Sequence, residues 1–252
     1  MIKVVIVTGS NRGIGASIAK NFALKGYIVI GIDMQIDENI KKDKNVFNVE
    51  ADLEQIILDD DYRLRVIKHI TKLIPDNAQK ITLINNAAIQ ICKPIEKLSA
   101  SDLLKTFSIN TFAPIILVNA FINLLKTSES HVINISSIHS KLTKRGFLAY
   151  AASKAAIESV TRSMALELSQ YGIQINAISP AAISTEMLEA GFKNNPDERK
   201  LLDSYHPTGK IGDKEGLVNL IQLITESKAN FLTGAVIDYN GAIGSKLHDP
   251  LD

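Results

Sequence analysis

The chain has 252 residues, 46% of them apolar, with 28 basic and 27 acidic side chains for a formal net charge of +1. That balance argues against nucleic acid or an anionic membrane as partner, and no uninterrupted apolar run approaches the roughly 20 residues of a membrane helix. Cys92 is the sole cysteine, which excludes an internal disulfide, suits a cytoplasmic setting, and reads as a small apolar filler.

Ile2–Val7 reads as a strand buried on both faces. A glycine turn follows, with Gly9, Asn11, Arg12, Gly13, Ile14 and Gly15, then a helical pattern over Ala16–Lys25. A second strand, Tyr27–Ile32, ends at Asp33. Strand, glycine turn, helix, strand and acid make the first unit of a dinucleotide fold. Glycines let the backbone approach a pyrophosphate, and the helix start offers free N–H groups. A carboxylate placed like Asp33 accepts from the hydroxyls of an adenosine ribose.

Met34–Asn45 is polar and reads as a loop with a short helix, its run Lys41, Lys42, Asp43, Lys44 being a solvated face. Val46–Val49 is a third strand. Asp52 fits two roles, reaching an adenine amine or capping a helix, and Leu53 fits packing near the adenine ring. Leu64–Leu73 has helical periodicity, and Ile81–Ile84 is a fourth strand. Asn85, Asn86 and Ala87 follow it, suited to clamping backbone near a ligand crevice.

Ser99–Lys126 reads as one long helix containing Asn110 and Pro114. Asparagine is mildly unfavourable there, so Asn110 marks a kink, a solvent-facing position or a function. His131–Ile135 is a fifth strand, leading to Ser136 and Ser137. The next helix runs to about Tyr171 and carries Tyr150 and Lys154, four apart and so on one face. A phenol titrates near 10, and a neighbouring ammonium lowers that value, making Tyr150 a candidate general acid or base. Ser137 can bond the same substrate oxygen. Ile173–Ile178 is a sixth strand, closed by Ser179 and Pro180. The irregular stretch 184–206 reads as a mobile lid with short helices. A helix over Asp213–Thr225 and a seventh strand over Ala235–Asp238 complete one domain, 1–252.

Glycine turn, Asn-Asn-Ala, helix asparagine, Ser-Ser and Y-x-x-x-K occur in the order of the classical short-chain dehydrogenase/reductase family, and the chain resembles it over essentially its whole length. The resemblance implies an α/β, Rossmann-type, doubly wound seven-stranded parallel sheet flanked by helices on both faces. It implies hydride transfer between a nicotinamide cofactor and an alcohol or carbonyl, with Asn110, Ser137, Tyr150 and Lys154 as the catalytic four. Lys154 would lower the Tyr150 pKa and hold the nicotinamide ribose, and Asn110 would hold a relaying water. Pro180, Ile183 and Thr185 match cofactor-contacting positions. The implied assembly is a homotetramer or homodimer on the long helices, with Ala151, Ala155, Ala156 and Ser159 as a small-residue face. No metal is expected.

Asp33 favours NAD over NADP, whereas Arg12 favours NADP. Gln90 and His139 match pocket positions of relatives acting on hydroxy acids or sugars, or else cap loops. A carboxylate substrate would bind better once His139 is protonated, below about 6.5. Phe147 stands where hydroxy-acid enzymes have a lysine and favours an uncharged substrate or a short hydroxy acid held without a lysine. Ala88, Ala181, Asn240 and Ala242 depart from the family pattern. The expected activity is oxidation or reduction of a small polar secondary alcohol or ketone, a sugar, polyol or hydroxy acid. The rivals are an NADPH-dependent acyl reductase and a non-catalytic cofactor sensor.

Overall fold

The computed structural model describes residues 1–36, 44–227 and 231–246. Most of the polar segment after Met34, with Lys41, Lys42 and Asp43, lies outside them. Seven strands form a parallel sheet: β1 (Lys3–Thr8), β2 (Ile28–Asp33), β3 (Val46–Glu50), β4 (Lys80–Asn85), β5 (Glu129–Ile135), β6 (Gln174–Pro180) and β7 (Val236–Tyr239). Their order is β3-β2-β1-β4-β5-β6-β7. The order reverses between β1 and β4, which opens a crevice at the carboxyl ends of those strands.

The β1 sequence shows why helices cover both faces. Val4 and Ile6 belong to one apolar cluster and Val5 and Val7 to the other, and all four are fully buried. Side chains alternate across a strand, so a continuous apolar run requires cover on each side. Each such burial contributes about 1.5–3 kcal/mol. Val5 and Val7 pack with Ile18 and Phe22 of α1 (Gly13–Leu24) and Leu217 and Ile221 of α10 (Lys214–Glu226). Val4 and Ile6 pack with Ile56 of α2 (Leu53–Leu58), Val66 of α3 (Asp60–Leu73) and Leu117 of α5 (Ala113–Ala120).

Two helices differ from expectation. The periodic stretch near Leu64 begins at Asp60 and is preceded by α2, because Asp52 and Asp59 each cap a helix start through a side-chain oxygen. The long helix is broken into α4 (Ala100–Phe107), a π turn (Ser108–Phe112), α5 and α6 (Ile122–Lys126). Ala100–Ala120 has the length and apolar composition of a membrane span, but half of it is buried in the fold. Between β5 and β6 runs α7 (Leu148–Leu168), and between β6 and α10 lie α8 (Glu186–Gly191) and α9 (Pro196–Ser204).

Candidate active site

The glycine turn is built for close backbone contact. Gly9 has φ +68, and a Cβ on it would lie 3.0 Å from the Cα of Ala87. A Cβ on Gly15 would fall 1.9 Å from the Gly9 carbonyl oxygen, so only glycine lets α1 start against the turn. The Asn11 N–H donates to Asp33 Oδ2 at 2.8 Å, and the Met34 N–H donates to Oδ1 at 2.8 Å. Asp33 therefore ties the turn to the end of β2. Arg12 precedes α1 without capping it by a side-chain hydrogen bond, and no acid stands in the first turn. Free N–H donors and the positive end of the helix dipole fit a phosphate here, so the residues present suit a dinucleotide.

Asn86 performs the clamping its position suggests. Its Nδ2 donates to the carbonyl oxygens of Thr8 at 3.0 Å and Gly9 at 3.2 Å, while Thr8 Oγ1 accepts from the N–H groups of Asn86 and Ala87, both at 3.0 Å. Asp52 caps α2, its Oδ1 accepting from Glu54 N–H at 2.8 Å. Leu53 is buried among the core residues of that face.

Asn110 is buried in the π turn, contrary to a solvent-facing role, and the helix widens at Asn110 before it reaches Pro114. Its Nδ2 also donates to Ser153 Oγ at 3.0 Å, which joins the turn to α7. Ser137 follows β5, and its Oγ accepts from the His139 N–H at 3.2 Å. Tyr150 and Lys154 share a face of α7, with Lys154 Nζ 5.6 Å from the phenol ring centre. Lys154 is 3% exposed and donates to the Ile135 carbonyl oxygen at 2.7 Å.

The electrostatics reverse the expected balance. Burial pushes the Tyr150 phenol above its ordinary value, and a hydrogen bond with Ser137 opposes that shift. Burial brings Lys154 down to about 8. Sequence spacing suggests a lysine that lowers the tyrosine; in the folded protein desolvation dominates both groups. The resting phenol therefore holds its proton.

His139 reaches the site. Its ring centre is 5.9 Å from that of Tyr150, edge to face, and 4.5 Å from that of Phe147, stacked. Its Nδ1 lies 3.1 Å from Thr143 Oγ1. Burial and nearby Lys144 lower its pKa, so the protonation expected near 6.5 moves to lower pH. Gln90 is exposed and donates through Nε2 to Cys92 Sγ at 3.4 Å. Cys92 is an exposed thiol and no core filler. A thiolate there would raise the Tyr150 pKa further, so Cys92 lies near the phenol. Its place in the loop with Gln90 was the available signal.

A second residue was legible but missed. Glu158 continues the Tyr150–Lys154 face by one more turn of helix. Its Oε1 accepts from Ser136 Oγ at 2.8 Å and Ser140 Oγ at 2.5 Å, one on each side of Ser137. Glu158 thus fixes the serine turn to α7.

The short chain dehydrogenase family profile matches residues 3–196. The chain belongs to the short-chain dehydrogenase family. Family oxidoreductases use a nicotinamide cofactor, which agrees with the anion-binding turn. The 3-oxoacyl-acyl-carrier-protein reductase FabG of Buchnera aphidicola subsp. Schizaphis graminum is 31% identical, over 96% of this chain and 97% of its own length. The structure of 4-hydroxyisoleucine dehydrogenase complexed with NADH superposes with a TM-score of 0.85 at 27% identity, over 97% of this chain and 100% of that one. ElxO with NADP bound superposes with a TM-score of 0.86 at 25% identity, over 98% and 100%.

The three residues matched to cofactor-contacting positions follow one another from the end of β6. Pro180 ends β6, Ile183 is buried and bridges Gly212, and Thr185 caps α8 by accepting from Leu188 N–H at 3.3 Å. A Cβ on Gly13 would lie 3.8 Å from Thr185 Cγ2, so the start of the 184–206 segment stands over the glycine turn. Within that segment Arg199 donates to both oxygens of Glu189 at 3.0 Å and pairs with Asp203 at 2.8 Å. Of the departures, Ala242 has φ 65, a left-handed conformation in which a side chain costs about 1–2 kcal/mol. Asn240 Oδ1 accepts the Ala242 N–H at 3.0 Å and stabilises that turn.

Proposed function

We propose that the protein is an NAD-preferring dehydrogenase/reductase acting on a small polar secondary alcohol or its ketone. The supporting observation is the Tyr150 phenol, hydrogen-bonded to Ser137 and backed by the buried amine of Lys154. The bound nicotinamide would supply or accept the hydride. The chain's own part is proton handling at the substrate oxygen, which would sit between Ser137 Oγ and the Tyr150 hydroxyl. In reduction Tyr150 gives its proton to that oxygen; in oxidation it receives one. Ser137 steadies the charge that develops there. Lys154 is held by the Ile135 carbonyl where a cation favours the phenolate as it forms. His139 and Gln90 are assigned the substrate's second polar group.

NAD preference rests on Asp33, whose carboxylate would face the additional 2′-phosphate of NADP with like charge. An exposed Arg12 on the same turn works the other way. The likeness to FabG supports the rival, an NADPH-dependent acyl reductase. We assign the protein to the cytoplasm, in keeping with its exposed free thiol, and to a dimer or tetramer. The test is a panel of sugars, polyols, hydroxy acids and 3-oxoacyl thioesters, followed by NADH and NADPH absorbance. Turnover of polar alcohols with NAD supports the reading. Turnover confined to thioesters with NADPH replaces it with the rival, and cofactor binding without any turnover makes the protein a sensor.

A further inference from the structure

Glu158 is 5% exposed and continues the face of α7 that carries Tyr150 and Lys154. A carboxylate is rarely buried without a partner, and Glu158 forms no ion pair among the described residues. Its partners are two serine hydroxyls, Ser136 Oγ and Ser140 Oγ, which both donate to Oε1. Hydrogen bonds that end on a carboxylate are roughly twice as strong as neutral ones. Replacing both partners of such a bond by apolar groups is nearly neutral for stability. Stability alone therefore gives no reason for an acid at this position.

The two hydroxyls bracket Ser137. On one side the Ser136 N–H donates to the Ile178 carbonyl oxygen at 2.7 Å, and Ser136 Oγ lies 3.2 Å from the Lys154 carbonyl oxygen. On the other side the Ser140 N–H donates to the Ser137 carbonyl oxygen at 2.9 Å. Ser137 is thus held between two points that both rest on one oxygen atom of α7. The helix that carries this atom also carries Tyr150, about 12 Å away along its axis. One rigid element sets the serine and the phenol relative to each other.

We infer that Glu158 is a positioning residue for the reaction: through Ser136 and Ser140 it holds the Ser137 hydroxyl against the Tyr150 hydroxyl. This role rests on the proton handling proposed for Ser137 and Tyr150.

The test follows ionisation of Tyr150 in the whole chain without cofactor. The protein is labelled with 3-fluorotyrosine and read by fluorine NMR, with Tyr150→Phe identifying its resonance among the six tyrosines. Fluorination makes a phenol more acidic, which brings the titration to lower pH. Lys154, His139 and Cys92, the other titratable groups about the phenol, are present in every other variant. The hydrogen bond with Ser137 favours the phenolate, so Ser137→Ala should reduce the acid dissociation constant of Tyr150 about three- to tenfold. Glu158→Leu should give a similar reduction, although loss of a negative charge by itself acts in the opposite direction. Glu158→Gln keeps an oxygen acceptor for both hydroxyls and should titrate close to the parent. Ser137→Ala/Glu158→Leu should match Ser137→Ala, because the two residues act through one bond. Ser136→Ala/Ser140→Ala cuts the same link from the other side, and reads the role if the leucine variant does not fold. The role is overturned if Ser137→Ala reduces the acidity while Glu158→Leu or the paired serine variant, once folded, leaves it at the parent value. It is equally overturned if the effects at Ser137 and Glu158 add. An unchanged titration in Ser137→Ala itself would instead remove the Ser137–Tyr150 pair, and the proposed proton handling with it.

Discussion

Asn110 and Ile89 are locked to each other at both ends of one amide: Oδ1 accepts the Ile89 N–H and Nδ2 donates to the Ile89 carbonyl, each at 2.9 Å. A side chain in a helix thus mimics a neighbouring strand and fixes the loop after β4. Asn110→Leu leaves both backbone groups of Ile89 unpaired. Each unmet group costs about 1–3 kcal/mol, so chemical denaturation should show a loss of at least about 2 kcal/mol. Unchanged stability would mean that water replaces the clamp freely.

Tyr150→Phe removes the proton-transfer group and keeps the ring that packs edge to face against His139. Turnover should fall about 10²–10⁴-fold while NADH binding, read by fluorescence, stays near the parent value. Near-normal turnover would take Tyr150 out of the reaction.

Lys154 gives a pH signature. Its folded value is about 8, against an ordinary 10.5, because burial disfavours the charged form. Between these values the unfolded chain binds more protons than the folded one, so this group makes stability rise with pH across that window. Below pH 8 its burial costs about 3 kcal/mol, offset by about 1 kcal/mol from the bond to Ile135. Lys154→Met should therefore be inactive yet more stable at neutral pH, and that advantage should vanish towards pH 10. Urea melts of both proteins at several pH values decide it; a constant difference would contradict the assigned shift.

Asp33→Ala removes the like charge opposite a 2′-phosphate and the acceptor of the Asn11 N–H. The ratio of NADP to NAD dissociation constants should fall about tenfold, with NAD itself bound more weakly because the turn is loosened. An unaltered ratio in calorimetry would assign the discrimination elsewhere.

Assembly follows from what α7 leaves uncovered. Leu148, Ala155, Ser159 and Leu166 recur at helical spacing and are all exposed, Leu166 at 83%. A dimer or tetramer is expected by light scattering at micromolar concentration, and Ala155→Arg should shift it to monomer. A parent protein that is already monomeric would refute this.

The sheet was legible in the chain because a strand covered on both faces reads as an unbroken apolar run, as in Val4–Val7. Helix limits were less so. The π turn around Asn110 depends on Ile89 and Ser153, far away in sequence, and no local pattern encodes that contact. Tyr150, Lys154 and Ser137 were picked out by helical spacing together with the order of the family motifs. Their protonation was not, since it depends on how deeply α7 packs against β5. Cys92 was misread because one cysteine has the same letters in a core and on a rim.

The strand order has a further consequence for divergence. Gly9 to Asp33 lie on the chain before the crossover to β4, whereas the 90–92, 139–147 and 186–206 segments all follow it. Asn86 and Ala87 stitch the two halves together through Thr8. Mutation can accumulate in the later segments and remake the reacting pocket while the nucleotide cradle is inherited intact, so new chemistry on this scaffold costs little in refolding the old.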